Sequence, residues 1–372
     1  MDRVDRVADR VGRIVVRRPD LVTLWREVTP ILVAEVPHFE APCFFTVDPE
    51  CRIVTSHFQE GLPEIPTEWL AREYVEDDFN SMSSVLSSPA GIGTLHDATE
   101  GRPERSVKYH VEMQPFGCEQ ELVVALRTSD RQPWGSIGLY RETGRPLFSE
   151  VEQRVLAAVA PVLADGVRHG LLAAQAREPD LPDGPGVMVL DGLDVVSSTP
   201  SVKAWLEELD GTTEDPPTVV LATAGKVAAS GGPDLTVRVR GASGRWIAVH
   251  AGPLLDADGR QQVSVVIDAA RPEHLESLLM RAHQLTPRER DVTSLVLRGL
   301  ATDAIAAELS ISPLTVQQHL TSVFDKTGVR SRRELVSDVF HSHFEPRVRD
   351  NEARTQLARP SRGGPKPPEA LS

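Results

Sequence analysis

Cysteine is scarce in this sequence. Three cysteines occur in 372 residues, and no two of them have the Cys-x-x-Cys spacing. An odd number of scattered cysteines supplies neither a disulfide framework nor a zinc-ligand pattern. We therefore expect a protein of the reducing cytoplasm in which Cys43, Cys51 and Cys118 are small, buried apolar residues. A redox or metal site formed by these cysteines is the alternative.

Long apolar runs and catalytic motifs are also missing. No apolar run approaches the roughly 18 residues of a membrane span, and the charged segment 1–18 has no signal-peptide core. Ala224-Gly225-Lys226 lacks the preceding glycine and the following hydroxyl of a phosphate-binding loop. No metal-ligand spacing, nucleophile elbow or kinase signature is present. We therefore expect no membrane segment, no metal, no cofactor and no enzyme activity.

The net charge is divided unevenly along the chain. The formal net charge is −14 at pH 7. Residues 285–340 contain seven basic and seven acidic side chains and residues 341–372 contain six and four, so residues 1–284 carry a net charge of −16. The overall acidity therefore does not exclude a nucleic-acid-binding segment after residue 284.

Residues 285–340 predict four short helices with a cap at three of the four starts. Thr286-Pro287, followed by Glu289, forms a capping box that starts the first helix, and Gly299 follows its end. A second helix is predicted over 302–309. Ser312-Pro313 starts a third helix that ends at Gly328, and Ser331 with Glu334 starts the fourth.

The predicted third helix has one apolar face and one uncharged polar face. Apolar residues occur at i, i+4, i+7 and i+8: Val316, Leu320, Val323 and Phe324. The outward positions are Thr315, Gln317, Gln318, Thr321 and Ser322. A solvated helix face would normally contain Glu, Lys and Arg. Amides and hydroxyls instead suit hydrogen bonding to base edges in the major groove.

This segment resembles the LuxR-type helix-turn-helix DNA-binding domain over about 56 residues without a gap. The resemblance is carried by Leu285-Thr286-Pro287-Arg288-Glu289-Arg290, Gly299-Leu300, Ile305-Ala306, Leu309, Ile311-Ser312, Thr315-Val316, His319-Leu320, Phe324, Lys326, Gly328-Val329 and Ser331-Arg332. It implies that the third helix enters the major groove of duplex DNA and that the fourth helix supports dimerisation.

The resemblance also implies roles for individual residues. Gln317, Gln318 and Thr321 are the expected base readers, and Thr315 and Lys326 are expected near the DNA backbone. Further candidate DNA contacts are Ser312, Ser322, Arg330, Arg332 and Arg333. Two positions depart from the family pattern. Gln317 replaces a common lysine, and Ala301 stands where a capping hydroxyl is usual, so we expect Thr302 to cap the second helix instead.

Two alternatives remain at this segment. The segment could be a helical packing module that binds no DNA. His319 lies beside the apolar face, so it fits a hydrogen-bonded packing residue better than a base reader.

The charge of the segment bears on the oligomeric state. A segment with no net charge has few cations to bind phosphates, so one copy should bind DNA weakly. We therefore expect a homodimer, the alternative being a monomer assisted by another protein.

Residues 1–175 predict helices flanking an antiparallel sheet. One or two amphipathic helices are expected over 1–36, a hairpin over Cys43–Val47 and Arg52–Ser56, strands near 120–128 and 134–141, and a helix from Ser149 to about Ala174. Trp134–Arg141, followed by Pro146–Glu150, resembles the last strand and final helix of a GAF domain. The resemblance implies a small-molecule pocket or a dimerisation domain. Candidate pocket residues are Trp69, Tyr74, Phe79, His96 and His110.

Residues 176–184 predict a linker, since prolines and acidic residues are clustered there. Residues 185–270 predict two strands, then helices, then three more strands. This order resembles that of a PAS-like domain, which implies a second sensory pocket or a dimerising spacer. A linker helix over 272–284 precedes the helix-turn-helix domain at 285–344, and residues 345–372 predict a disordered tail.

The sequence thus predicts an α+β protein with a GAF-like domain, a PAS-like α+β domain and an all-α LuxR-type four-helix domain. The expected function is sequence-specific DNA binding in transcription regulation. The expected partners are double-stranded DNA, a second copy of the chain, RNA polymerase and a small-molecule ligand. The alternatives are a signalling enzyme with a GAF or PAS pocket and a scaffold protein that binds no DNA.

Overall fold

The computed structural model describes residues 2–38, 42–58, 66–173, 182 and 184–336. The chain divides into two units. Met1–Arg177 and Pro185–Ala269 form the front unit, and Glu178–Gly184 with Ala270–Ser372 form the C-terminal unit. Most of the predicted linker and the predicted tail lie outside the described residues.

The first half of the front unit contains a five-stranded antiparallel sheet in the order β2-β1-β5-β4-β3. The strands are β1 (Cys43–Val47), β2 (Val54–Phe58), β3 (Ile92–Thr94), β4 (Cys118–Arg127) and β5 (Pro133–Glu142). The α-helices are α1 (Arg3–Val15), α2 (Leu21–Glu35), α3 (Thr67–Arg72), α4 (Met82–Ser87), α5 (Leu95–Ala98) and α6 (Glu150–Ala173). The predicted hairpin is confirmed by the pairing of β1 with β2.

A layer of three helices covers one face of this sheet. Helices α1 and α2 start at Asp2 and Asp20, whose carboxylates accept backbone hydrogen bonds of the first turn. Both pack on α6, which packs on β4 and β5. The ring of Trp25 stacks on Phe44 of β1 with 4.1 Å between centroids. These contacts place the core between the helices and the sheet.

Helix α6 bears on the prediction that the chain has no membrane segment. Its segment Glu150–Leu172 is long and apolar enough to span a membrane by composition, although no continuous apolar run marks it in the sequence. Of its most apolar window, 56% is buried in the structure against α1, α2 and the sheet. A core helix passes the same test, so this helix is weak support for a membrane segment.

The second half of the front unit contains a second five-stranded antiparallel sheet, in the order β7-β6-β10-β9-β8. Its strands are β6 (Gly186–Asp191), β7 (Asp194–Ser198), β8 (Leu235–Arg240), β9 (Trp246–Leu255) and β10 (Gln261–Ala269). Helices α7 (Val202–Glu208) and α8 (Thr218–Ser230) lie between β7 and β8 in the chain. The elements occur in the predicted order.

The two halves of the front unit meet along α8. This helix packs on β9 and β10 and also on β2 and α3, so it is buried on nearly every side. A Cβ on Gly225 would lie 2.6 Å from Cγ2 of Val75, so only glycine permits this close approach.

A buried ion pair also joins the two halves of the front unit. Arg238 of β8 is 5% exposed, and its Nε donates to Oδ2 of the fully buried Asp48 at 2.7 Å. Asp48 and Glu50, which also pairs with Arg238, belong to the turn between β1 and β2.

The C-terminal unit is helical where it is described. Its elements are α9 (Pro272–Ala282), α10 (Pro287–Leu297), α11 (Thr302–Leu309) and α12 (Pro313–Thr327). Residues 332–336 begin the predicted fourth helix, and its remainder lies outside the described residues. Val292, Ile305, Val316 and Val323 meet in one core with almost no exposed surface. The two helix ends that were expected at glycines are confirmed, since Gly299 and Gly328 adopt positive φ just beyond α10 and α12.

Candidate nucleic-acid interface

Helix α10 is anchored by its first turn. The backbone N–H of Thr286 donates to Oε2 of Glu289 at 2.7 Å, and the N–H of Glu289 donates to the Thr286 hydroxyl at 3.4 Å. The predicted capping box is therefore confirmed. Glu289 is 5% exposed, so its carboxylate is available to groups inside the domain.

The Glu289 carboxylate also connects α10 to α12. Ser322 donates to Oε1 at 2.6 Å, and Nζ of Lys326 lies 2.6 Å from Oε2. Burial alone would raise the pKa of Glu289, but the hydrogen bonds from Lys326, Ser322 and Thr286 outweigh it and lower the pKa to about 2. Glu289 is thus ionised at neutral pH and fixes α12 against α10.

The start of α11 corrects one prediction. Ala301 occupies the N-cap position and no side chain caps this helix, so Thr302 does not replace the missing capping hydroxyl. The Thr302 hydroxyl instead accepts a hydrogen bond from Nε2 of Gln317 at 3.2 Å. Thr302 already lies inside α11, where its side chain faces α12 rather than the free N–H groups of the first turn. This bond joins the two helices of the helix-turn-helix.

Helix α12 starts at a side-chain cap and exposes the predicted polar face. The Ser312 hydroxyl accepts from the Thr315 N–H at 3.1 Å and lies 2.8 Å from the Thr315 hydroxyl. Val316, Leu320 and Val323 are buried. Gln317, Gln318 and Thr321 are exposed, whereas Thr315, His319 and Ser322 are half-buried. The Thr321 hydroxyl donates to the carbonyl of Gln317 at 3.0 Å, so its lone pairs remain available to a ligand.

The predicted basic cluster follows α12. Arg330 and Arg333 are exposed and Arg332 is half-buried. Lys326 differs from these arginines because its ammonium is already bound to Glu289 and to the carbonyl of Gln284, at 3.3 Å. An ammonium has three N–H donors, so one donor of Lys326 remains for a further acceptor.

The five candidate pocket residues of the front unit have separate surroundings. Tyr74 is buried, and its hydroxyl accepts from the N–H of Val54 at 3.0 Å. Trp69 packs edge-on against Phe116, and Nε2 of the exposed His110 lies 2.9 Å from the carbonyl of Glu104. His96 is half-buried, with Nδ1 enclosed and without a hydrogen-bond partner.

Of the five, Phe79 lines a small cavity near β4 that has space for about one water molecule, 20 Å³. The structure does not gather the five residues around one pocket.

A buried charge cluster at this cavity was not foreseen from the sequence. Nζ of Lys108 lies 2.8 Å from Oε1 of Glu121 and 3.1 Å from Oε1 of Glu73, and Lys108 and Glu121 are at most 7% exposed. Burial raises the pKa of the neighbouring Glu112 to about 8, although Lys108 opposes this shift. Glu121 is buried on β4 but follows Glu119 and Gln120 in the sequence, so no residue pattern distinguishes it as part of a buried cluster.

The arrangement of α10 to α12 defines a helix-turn-helix domain with an exposed, uncharged polar helix face. Residues 283–339 match the family model described as bacterial regulatory proteins, luxR family. The C-terminal region therefore contains a LuxR-type helix-turn-helix domain.

Two relatives are each similar to a short segment of the chain. A Mycobacterium bovis protein named as an HTH-type transcriptional regulator, Mb0914c, is 54% identical over 54 residues, which cover 14% of this chain and 6% of that protein. The transcriptional regulatory protein DesR of Bacillus subtilis is 39% identical over 66 residues, or 18% of this chain and 33% of that protein. The matches thus span a third or less of these relatives.

Among solved structures, the Vibrio cholerae VqmA dimer is similar to 43% of this chain and 82% of its own length, at 20% identity and a TM-score of 0.21. This score is too low to establish a shared arrangement of the elements.

Proposed function

We propose that this protein is a transcription regulator that binds a specific DNA sequence by placing α12 in the major groove. The observation that carries the proposal is the exposed, uncharged row of Gln317, Gln318 and Thr321 on a helix fixed by Glu289. A helix of this width fits the major groove, and amide groups can form paired hydrogen bonds with adenine. The match of residues 283–339 to the luxR family supports this assignment.

The contacts of the individual side chains divide their proposed roles. Gln318 and Thr321 contact bases. Gln317 contacts a base only if its hydrogen bond to Thr302 breaks. Ser312 and Thr315 lie at the N-terminus of α12, where they approach the DNA backbone. Phosphates are contacted by the basic side chains that follow α12, namely Arg330, Arg332 and Arg333, together with the remaining donor of Lys326. Ser322 acts through Glu289 by holding α12 in place.

We propose further that the chain binds DNA as a dimer. The segment 285–340 has no net charge, so one copy neutralises few phosphates. If each of Arg330, Arg332 and Arg333 neutralises one phosphate, the slope of log affinity against log salt is about −3 for one copy and about −5 for two. The slope therefore distinguishes a monomer from a dimer on the same duplex.

The front unit is the proposed sensory or assembly region. Its two α+β halves, GAF-like and PAS-like, either bind a small ligand or mediate dimerisation in the cytoplasm. A ligand that prefers one arrangement of the front unit would shift the DNA affinity of the dimer, and RNA polymerase would respond to the bound regulator. A compound that binds the front unit without changing DNA affinity would contradict this coupling.

The test is selection of bound duplexes from a random pool, followed by fluorescence anisotropy at several salt concentrations. Gln318→Ala should cost about 1 to 3 kcal/mol at one base position and relax the preference there. Arg333→Ala, the matched control, should weaken binding to every sequence alike and reduce the salt slope by about 1 per copy. If no duplex is enriched, the chain is not a DNA-binding regulator, and the scaffold alternative replaces it.

A further inference from the structure

Leu314 is an exposed leucine on the helix proposed to read DNA. Its exposed fraction is 69%, and the only other large apolar residue exposed among the described residues of the C-terminal unit is Val336, at 40%. Leu314 lies in the first turn of α12, whereas the apolar residues that hold this helix to the core are on its opposite side. Nothing in the domain core therefore requires a leucine here.

The neighbours of Leu314 place it within the proposed reading face. Gln318 and Thr321 follow it at i+4 and i+7, so the three side chains share one face of α12. The hydroxyls of Ser312 and Thr315 lie 2.8 Å apart and are bonded within the cap. The first turn is thus held by its cap, and its exposed apolar residues are Pro313, whose ring is part of the helix start, and Leu314.

The base edges in the major groove differ in chemistry. They present hydrogen-bond donors, acceptors and one apolar group, the C5 methyl of thymine. Isobutyl side chains cannot bond to the donors or acceptors and would bury them without a partner. An exposed leucine in the groove therefore discriminates in favour of thymine.

We propose that Leu314 is a specificity-determining residue that packs against the C5 methyl of a thymine. The inference rests on the proposed DNA-binding function. Residues four apart on a helix are about 6 Å apart along its axis, and base pairs are spaced about 3.4 Å, so the thymine lies within about two base pairs of the pair read by Gln318.

The experiment removes the methyl group alone. In a duplex obtained by selection, each thymine of one half-site is replaced in turn by deoxyuridine, and binding of the full chain is measured by anisotropy. At one position the replacement should weaken wild-type binding about four-fold, the effect of one methyl group. Leu314→Ala should bind the two duplexes equally, and Leu314→Met should retain the preference for thymine.

Val336→Ala is the control, since it removes an exposed apolar side chain outside α12. Even if it weakens dimerisation and hence binding to both duplexes, it should leave the ratio of their affinities unchanged. If wild type and Leu314→Ala show the same ratio at every thymine, the assignment of Leu314 is wrong while DNA binding stands. Failure to enrich any duplex would instead overturn both the proposed function and this inference. Circular dichroism checks that Leu314→Ala is folded, which is expected because the side chain is exposed.

Discussion

Glu289 provides the sharpest test of how the C-terminal unit is held together. The substitution Glu289→Gln keeps the size of the side chain and the acceptor for the Thr286 N–H but removes the charge that binds Lys326 and Ser322. We expect α12 to lose its ionic link to α10 while keeping their apolar contacts, and the C-terminal unit to unfold at a lower denaturant concentration. The front unit should be unaffected because the contacts of Glu289 lie within the C-terminal unit.

The magnitude follows from the pKa of Glu289. The folded state lowers it from 4.5 to about 2. A carboxyl group with a depressed pKa stabilises the fold above its unfolded pKa, and the stabilisation is lost as the pH falls through the folded pKa. At 1.36 kcal/mol for each pKa unit, the contribution is about 3 kcal/mol at pH 6 and falls to about 1 kcal/mol at pH 3.

The sequence supplies separate probes for the two units. All five tryptophans lie in the front unit, so their fluorescence reports that unit alone, whereas far-ultraviolet circular dichroism reports both. Urea unfolding of wild type and Glu289→Gln should differ in the circular dichroism transition and not in fluorescence. Asp291→Asn is the matched control on the same helix, because Asp291 forms only an exposed pair with Arg288 at 3.5 Å. We expect it to change stability by less than about 1 kcal/mol.

The pH dependence is the part that can refute this reasoning. If the difference between wild type and Glu289→Gln is the same at pH 6 and pH 3, the ionised carboxylate is not what stabilises the packing of α12. An equal effect of Asp291→Asn would show that any charge on α10 matters, rather than the buried one.

Three further predictions concern the front unit and use tryptophan fluorescence as the probe of unfolding. Arg238→Ala removes the guanidinium that neutralises the buried Asp48, which keeps the backbone N–H donors of residues 50 and 238, and it should destabilise the unit by about 3 to 5 kcal/mol. The double substitution Asp48→Asn/Arg238→Met should recover part of this loss. Gly225→Ala places a methyl group 2.6 Å from Val75 and should cost about 1 to 3 kcal/mol. Gly12→Ala on α1, whose methyl group would meet only Val162, at 4.0 Å, is the control and should not lower the stability. The folded state raises the pKa of Glu112 from 4.5 to about 8, so the stability of the unit should fall as the pH rises between these values. Glu112→Gln should remove this contribution to the pH dependence of stability. If stability changes with pH equally in wild type and Glu112→Gln, the raised pKa of Glu112 is contradicted.

The C-terminal elements could be predicted from sequence because their boundaries are local. Ser312, Pro313 and Gly328 each determine the conformation of a few neighbouring residues, so the predicted third helix agrees with α12 in both ends. The strand β3 was missed because three residues, Ile92–Thr94, carry too short a pattern to detect. Sequence patterns also could not show that Lys326 is bound to Glu289, since the two positions are 37 residues apart.

The same limit explains the front unit. Asp48 and Glu50 predict a turn, and they do form one, but their second role as partners of Arg238 depends on a residue that follows Asp48 by 190 positions. Glu121 and Lys108 are likewise brought together by the sheet and the preceding turns. Conversely, Trp69, Tyr74, Phe79, His96 and His110 were grouped by residue type, and their positions in the fold separate them.

The separation of 190 positions between Asp48 and Arg238 also affects how the chain is made. At about 5 to 20 residues per second, a ribosome needs roughly 10 to 40 s to extend the nascent chain from one partner to the other. During this interval the Asp48–Glu50 turn carries two hydrated carboxylates. The unfinished protein therefore exposes charge at this position instead of an aggregation-prone apolar patch. Synthesis of β8 then supplies the guanidinium that allows these carboxylates to leave water, which couples completion of the front unit to translation of its second half.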